Sequence, residues 1–380
     1  MVTAGIFLII RSSYVFIPNN AVPNFIIVMG GLTAVFSALC GAFQNDLKKV
    51  IAYSTCGQLG YMVVACGLGA YSVAFFHLYN HAFFKALLFL AAGSVIHAVG
   101  DEQDMRRMGG LLHYLPFTHL VLAVASLSLM GLPFLTGFYS KDLILELSFS
   151  SPTHIFVYTL LLFAAFCTAY YSARTMLLVF WGKPAGSLKV FAGAHEPGFA
   201  MTVPLVTLFL FTCFIGYFSK DLFVGLGSPF FQQTIYQSAT NATLVREAEF
   251  LPTLIKQLPL VVTVLGCFVA YAVYNTKLKS NAIPFYVFFN RKWFFDSIYS
   301  AFIAYPFIKL AYESIFKAVD KGVLELVGPF GVSKVFESTS YSAKRLQTGF
   351  VYDYIAATFA AALLLLAFSL YYEVSTPIIF

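Results

Sequence analysis

Three ionisable side chains, His77, His81 and Lys85, recur at i, i+4 and i+8 within an otherwise apolar stretch, Ala74-Phe-Phe-His-Leu-Tyr-Asn-His-Ala-Phe-Phe-Lys-Ala-Leu-Leu-Phe89. On a helix that spacing lines all three along one face. They climb ~12 Å at ~1.5 Å per residue, a large part of a ~30 Å hydrocarbon layer. An ionisable group at that depth costs roughly 2.5–3.5 kcal/mol or more and normally faces a bundle interior or a water-filled path. Two imidazoles and an amine one turn apart are able to hand a proton along, Lys85 as a desolvated amine and the histidines as relays. A zinc reading of His77 and His81 has the spacing of a His-Glu-x-x-His helix, but Leu78 stands where the Glu belongs and no third ligand is apparent, so no metal is expected.

A second constellation is Gly131-Leu-Pro-Phe-Leu-Thr-Gly137 followed by Phe138-Tyr-Ser-Lys-Asp142, inside an apolar stretch, Leu115–Phe149, too long for one straight span. Pro133 removes a backbone donor, and Gly131 and Gly137 loosen the ladder, which predicts a discontinuous helix. Broken helices expose backbone dipoles at membrane depth, where transporters meet ions. Lys141 and Asp142 sit just beyond the break. The bland alternative is a snorkelling lysine beside a loop aspartate at an interface.

The elements that must position these residues are membrane helices. The chain has 380 residues, 59% hydrophobic and 11% charged, with a mean hydropathy of +0.80. A soluble domain carries about 25% charged residues. The expected fold is therefore all-α, a polytopic membrane helix bundle. Its 43 Phe and 23 Tyr suit a lipid-facing surface with aromatic belts. The net charge of +6 is a topology signal, since no basic, aromatic-rich patch suggests nucleic acid. Cys40, Cys56, Cys66, Cys167, Cys213 and Cys267 are scattered in apolar segments without a Cys-x-x-Cys, which reads as small buried hydrophobes. Gly67-Leu-Gly69 lacks the rest of a nucleotide fingerprint, so no cofactor-binding residue is expected.

Expected spans are Phe25–Phe43, Ile51–Tyr71, Val73–Val99, the broken stretch, Ile155–Trp181, Met201–Phe218, Leu258–Tyr274 and Phe350–Tyr372. Alternating the loops puts Lys48, Lys49, Arg106, Arg107, Lys183, Lys189, Lys277, Lys279, Arg291 and Lys292 on one side. The other side receives Arg11, Lys141, Lys220, Arg246 and Lys256, which makes the first side the inside. From Phe294 to about Val327 the pattern changes: Lys309, Glu313, Lys317 and Lys321 recur every fourth residue on one face of an amphipathic helix, with Glu313 and Lys317 in a favourable i, i+4 order. That regular charge argues against a span and for a lateral helix along the inner surface, bent at Pro306. A loop near Gly328–Gly331 and the last span follow. The expected organisation is 1–20, a truncated helix; 21–280, the bundle; 281–349, the lateral region; and 350–380, a C-terminal anchor. His97, His113, His119, His154 and His195 are assigned no role.

His77-Leu-Tyr-Asn-His-Ala-Phe-Phe-Lys-Ala-Leu-Leu-Phe-Leu, Asp101-Glu-Gln-Asp-Met-Arg-Arg-Met-Gly-Gly-Leu111 and Gly131-Leu-Pro-Phe-Leu-Thr-Gly-Phe-Tyr-Ser-Lys-Asp142 resemble the proton-pumping, antiporter-like membrane subunits of respiratory complex I. Gln44-Asn-Asp-Leu-Lys-Lys-Val-Ile-Ala-Tyr-Ser-Thr55 and Gln58-Leu-Gly60 fit the same pattern. The Gly-Phe-Tyr-Ser-Lys-Asp form and the long amphipathic helix before a final span resemble the distal, subunit 5 branch of the mitochondrial NADH dehydrogenase. Trp293-Phe-Phe-Asp-Ser-Ile-Tyr299 and Gln347-Thr-Gly349 resemble its C-terminal part more weakly.

The resemblance implies that Lys85 is the central lysine, that His77 and His81 link half-channels, and that Lys141, with Asp142, serves proton release. It gives Asp46 and Lys48 a charged pair at a helix end with a coupling or structural role. It implies no redox centre in this chain, FMN, iron–sulfur clusters, NADH and ubiquinone belonging to the whole complex. It also implies a mitochondrial inner-membrane location (a bacterial plasma membrane being the alternative), with lipids and neighbouring antiporter-like subunits as partners. Met1 aligns within a helix of the family pattern, so a separate chain is expected to supply the preceding helices, as in a split gene, unless the chain is a fragment. Two other readings remain open: a sodium/proton antiporter subunit of the Mrp type, which shares the His/Lys helix, and a non-conducting structural brace.

Overall fold

The computed structural model describes residues 2–16, 21–151, 155–186, 191, 193–225, 227–231, 234–235, 239–275 and 283–375. Met1, His154, Lys189, Lys277 and Lys279 of the sequence reading lie outside the described residues. The chain divides into two units, Met1–Phe294 and Phe295–Phe380.

The first unit is a bundle of α1 (Val2–Arg11), a single turn α2 (Ser13–Phe16), α3 (Ala21–Phe43), α4 (Leu47–Gly67), α5 (Tyr71–Ala98), α6 (Pro116–Met130), α7 (Thr136–Ser150), α8 (Ile155–Met176, running on in wide turns to Trp181), α9 (Phe199–Val224), α10 (Ala239–Glu249), α11 (Thr253–Asn275) and α12 (Ile283–Asn290). Six of these are long and apolar enough to cross a membrane, and a seventh lies in the second unit. The expected eighth span is α6 and α7 together, each too short alone. Small residues let the helices approach: a Cβ on Gly60 of α4 would stand 2.7 Å from the Ala34 nitrogen of α3, so only glycine fits. The outward faces of α3, α8, α9 and α11 carry exposed Phe25, Phe163, Phe214 and Phe268, as a surface facing lipid or partner helices requires.

The break falls where Pro133 and the glycines place it. Helix α6 stops at Met130, Gly131 takes a left-handed conformation at φ +89°, and Phe134 another at +71°. Helix α7 restarts at Thr136, and the Gly137 N–H donates to the Ser128 hydroxyl at 3.1 Å. At its far end α6 is held by a carboxylate distant in sequence: Glu196 accepts from the Phe117 N–H at 2.7 Å, the Thr118 N–H at 3.2 Å and the Thr118 hydroxyl at 2.6 Å.

The charged loop after α5 folds back on the α3–α4 turn. Leu47 N–H donates to Gln103 O and Met105 N–H to Asn45 O, both at 3.0 Å, and Met105 is buried. Asp104 caps the turn Met105–Arg107 and pairs with Arg106 at 2.6 Å. The Arg106 guanidinium hydrogen-bonded to it holds the Asp104 carboxyl below the usual carboxylate range. A depressed carboxyl stabilises the fold above its ordinary value near ~4 and loses that contribution as pH falls through the depressed one. The protection factors of the Leu47 and Met105 amides, taken relative to the intrinsic exchange rate at each pH, are expected to hold from neutral pH downward and to fall only below that value. Equal protection throughout acid would contradict this anchoring role.

The second unit comprises α13 (residues 295–327), α14 (Pro329–Leu346) and α15 (Val351–Ser375). A left-handed reversal at Lys292, Trp293 and Phe294 precedes it. Helix α13 is amphipathic, as its sequence predicts, and runs through Pro306 with helical backbone at Ala304 and Leu310. Two details differ from the sequence reading. Residues 311–324 form wide π-type turns, which bring i and i+5 together. Lys317 accordingly lies over the Tyr312 ring at 4.8 Å and Lys321 over Phe316 at 5.2 Å, and no Glu313–Lys317 ion pair forms among the described residues. An exposed pair of that kind is worth only ~0.3–0.5 kcal/mol, too little to dictate the turn. The expected loop near Gly331 is helical, the only interruption being at Gly328, because Pro329 suits a first helical turn.

Candidate functional site

Helix α5 carries both apolar and polar duties. Phe76 and Phe84 pack into separate hydrophobic clusters, while His77 (1% exposed), His81 (2%) and Lys85 (5%) are buried on it. None of the three meets a carboxylate within ion-pair distance among the described residues, which marks this as more than ordinary core packing.

Lys85 Nζ donates to the Ile51 carbonyl at 3.0 Å and to the Ser54 hydroxyl, both on α4. One turn back, the His81 ring centroid lies 6.2 Å from that of His77, and His81 Nε2 has no partner among the described residues. Asn80, fully buried beside it, has neither amide atom paired. His77 is held at both ring nitrogens: Nε2 faces Gln58 Oε1 at 3.1 Å and Nδ1 faces Ser140 Oγ at 2.8 Å. Both ring nitrogens are therefore engaged, one by an amide and one by a hydroxyl that can donate or accept, and the tautomer sets the direction of each bond. Ser140 is therefore the direct bridge from α5 to α7, one residue before Lys141.

Lys141 is 1% exposed, so it does not snorkel. Its Nζ donates to the Met130 carbonyl left free at the end of α6 (3.1 Å) and to Thr168 Oγ1 on α8 (3.2 Å), and it lies over the Tyr61 ring at 5.6 Å. The break thus supplies Lys141 with the carbonyl dipole of a helix end. Asp142 is buried too, and its Oδ1 and the Lys141 stem both lie against Gly131, although no Lys141–Asp142 ion pair within 4.0 Å forms among the described residues.

The structure thus joins His77 to the α7 segment bearing Lys141 and Asp142 and ties Lys85 to α4, with His81 between them on α5. It does not join Asp46 to Lys48. Asp46 pairs with Lys49 at 2.5 Å, three residues on and on the same face, while Lys48 is exposed. Lys309, Glu313, Lys317 and Lys321 lie in the second unit on α13. Among the described residues no three His, Cys, Asp or Glu side chains converge on one point. In the sequence, Ser54 and Gln58 appear only as members of motifs, with no partners indicated. Sequence reasoning passed over Asn80, Ser140, Thr168 and Tyr61, because isolated hydroxyls and amides in apolar helices carry no spacing signal. Only the neighbouring His and Lys could have drawn attention to Asn80 and Ser140.

Residues 1–168 match the family described as NADH:quinone oxidoreductase/Mrp antiporter, and residues 239–369 match the NADH dehydrogenase subunit 5 C-terminus. The chain belongs to the NADH dehydrogenase subunit 5 family. It is 47% identical over 364 residues to NADH-ubiquinone oxidoreductase chain 5 of Phytophthora infestans, covering 93% of this chain and 55% of that one. Against the same-named chain of Arabidopsis thaliana identity is 43%, covering 97% and 56%. The chain spans little more than half the length of these relatives. A subunit in the Mrp complex from Dietzia sp. DQ12-45-1b shares the fold, with a TM-score of 0.55 over 99% of this chain and 36% of that chain, at 22% identity. A chain of an archaeal membrane-bound sulfane sulfur reductase gives 0.52 over 64% and 49%, at 26% identity.

Proposed function

We propose that this chain is a proton-translocating membrane-arm subunit of NADH:ubiquinone oxidoreductase in the mitochondrial inner membrane, with no redox centre of its own. The observation that carries the reading is the buried row Lys85–His81–His77 on α5, joined through Ser140 to the broken-helix segment that bears Lys141. Lys85 takes up and gives back a proton. His81 and His77 relay it by protonation or through water, and Lys141, beside Asp142 at the break, passes it to release. Asp46 and Lys48, at the start of α4, belong to the inner-side charges that couple or brace this path, and the Lys309–Lys321 stripe braces neighbouring subunits and lipid headgroups. NADH oxidation through FMN and iron–sulfur clusters, and ubiquinone reduction, fall to other subunits.

Mild-detergent separation of the membranes followed by peptide mass spectrometry tests the assignment. The chain is expected to migrate with NADH-oxidising activity and neighbouring antiporter-like subunits. Migration in a small complex without redox subunits would overturn it and favour an Mrp-type antiporter, whose fold the chain shares. The match of residues 239–369 to the subunit 5 C-terminus supports the first outcome.

A further inference from the structure

A buried cation outside the row just described has no assigned purpose. Arg174, on the last turn of α8, is 3% exposed and pairs with no carboxylate among the described residues. A guanidinium keeps its charge wherever it is placed, and a buried unpaired charge is costly. What offsets that cost is the end of α3. Nη1 donates to the Ala42 carbonyl at 2.9 Å and the Gln44 carbonyl at 2.6 Å, and Nη2 to Asn45 Oδ1 at 3.0 Å, with the Tyr274 ring 5.8 Å from the guanidinium carbon. These are acceptors at and just beyond the helix C-terminus, where a cation is favoured.

The segment so gripped is the α3–α4 turn. Its Gln44 side chain donates to Asn290 O at 2.9 Å, Asn290 Nδ2 donates to Phe43 O at 2.8 Å, and Asn45 O receives Met105 N–H. Two residues after Asn45, α4 begins, and its first two turns present Ile51 O and Ser54 Oγ, the acceptors of Lys85. We propose that Arg174 is a positioning residue for Lys85: by clamping the end of α3 and the Gln44–Asn45 turn, it sets the height and rotation at which α4 offers those acceptors. The inference rests on the proposed role of Lys85. It gives a reason for an arginine here, because a lysine is a point donor and cannot hold carbonyls and an amide in one planar fork.

The test uses the assembled complex. Arg174→Lys is expected to lower coupled proton translocation about tenfold, the size of one lost charge-assisted hydrogen bond. It is also expected to speed hydrogen exchange in residues 47–55 while leaving α9 unchanged. Ser54→Ala in that background should add little, since the acceptor is already displaced; a structural role alone would make the two losses multiply. Multiplying losses, or unchanged exchange in residues 47–55, would overturn the proposal. If Arg174→Lys does not assemble, Asn45→Ala, which removes the Nη2 contact together with the Asn45 Nδ2 bond to the Tyr286 hydroxyl, carries the same exchange and double-mutant test, with Tyr286→Phe as the control for the second bond. Lys85→Ala separates the two ideas. Undiminished translocation there defeats the role of Lys85 and the inference with it, whereas failure at Arg174 alone leaves that role standing.

Discussion

Replacing Lys85 by alanine is expected to lower coupled NADH:ubiquinone turnover and proton translocation by about 10²-fold, the contribution of a single positioned proton-transfer group. NADH oxidation with an artificial acceptor that bypasses the membrane arm should be unchanged. The sharper variant is Lys85→Arg. It retains a positive charge against Ile51 O and Ser54 Oγ, the acceptors of Lys85, but a guanidinium does not give up its proton. If Lys85 works by losing and regaining a proton, Arg is as defective as Ala. If Lys85 serves only as a fixed charge holding α4 to α5, Arg restores most of the activity. Recovery in Lys85→Arg would therefore reject proton exchange at this position and support the structural brace.

Much of this site is legible in the sequence for a physical reason. An ionisable residue in an apolar helix stands out, so His77, His81, Lys85 and Lys141 could be found by type and spacing alone. The break was equally visible, since Pro133 and two glycines leave the backbone little choice. What could not be read is whatever depends on which helix faces which. Ser140, Thr168 and Tyr61 gain meaning only because α7, α8 and α4 converge on the same row. Arg174 was hidden differently: it looks like an inner-end arginine that water would accept, yet the turn it caps is 130 residues away at Gln44. The Asp46 contact with Lys49 and the π-type turns of residues 311–324 are not legible in the sequence either, because surface ion pairs are too weak to fix side-chain choice or helix pitch.

Gly137→Ala is expected to be the most disruptive small substitution in the first unit. A Cβ there would stand 1.8 Å from the Ser128 carbonyl oxygen and 2.8 Å from its carbon, both backbone atoms that no rotamer change can move. Helices α6 and α7 would have to part, breaking the Gly137 N–H to Ser128 Oγ bond and drawing the Met130 carbonyl away from Lys141. Overpacking of this kind costs roughly 3 kcal/mol, expected as a lower thermal midpoint and less of the purified complex. Since the obstacle is the Ser128 backbone, Ser128→Gly in the same chain should rescue nothing. Gly93→Ala, in the middle of α5 with no atom within 4 Å of the added carbon, should be neutral or slightly stabilising. Equal stability of the two alanine variants would mean that α6 and α7 do not approach as described. A large difference, together with lost translocation in whatever Gly137→Ala complex survives, would tie the close crossing at the break to the placement of Lys141.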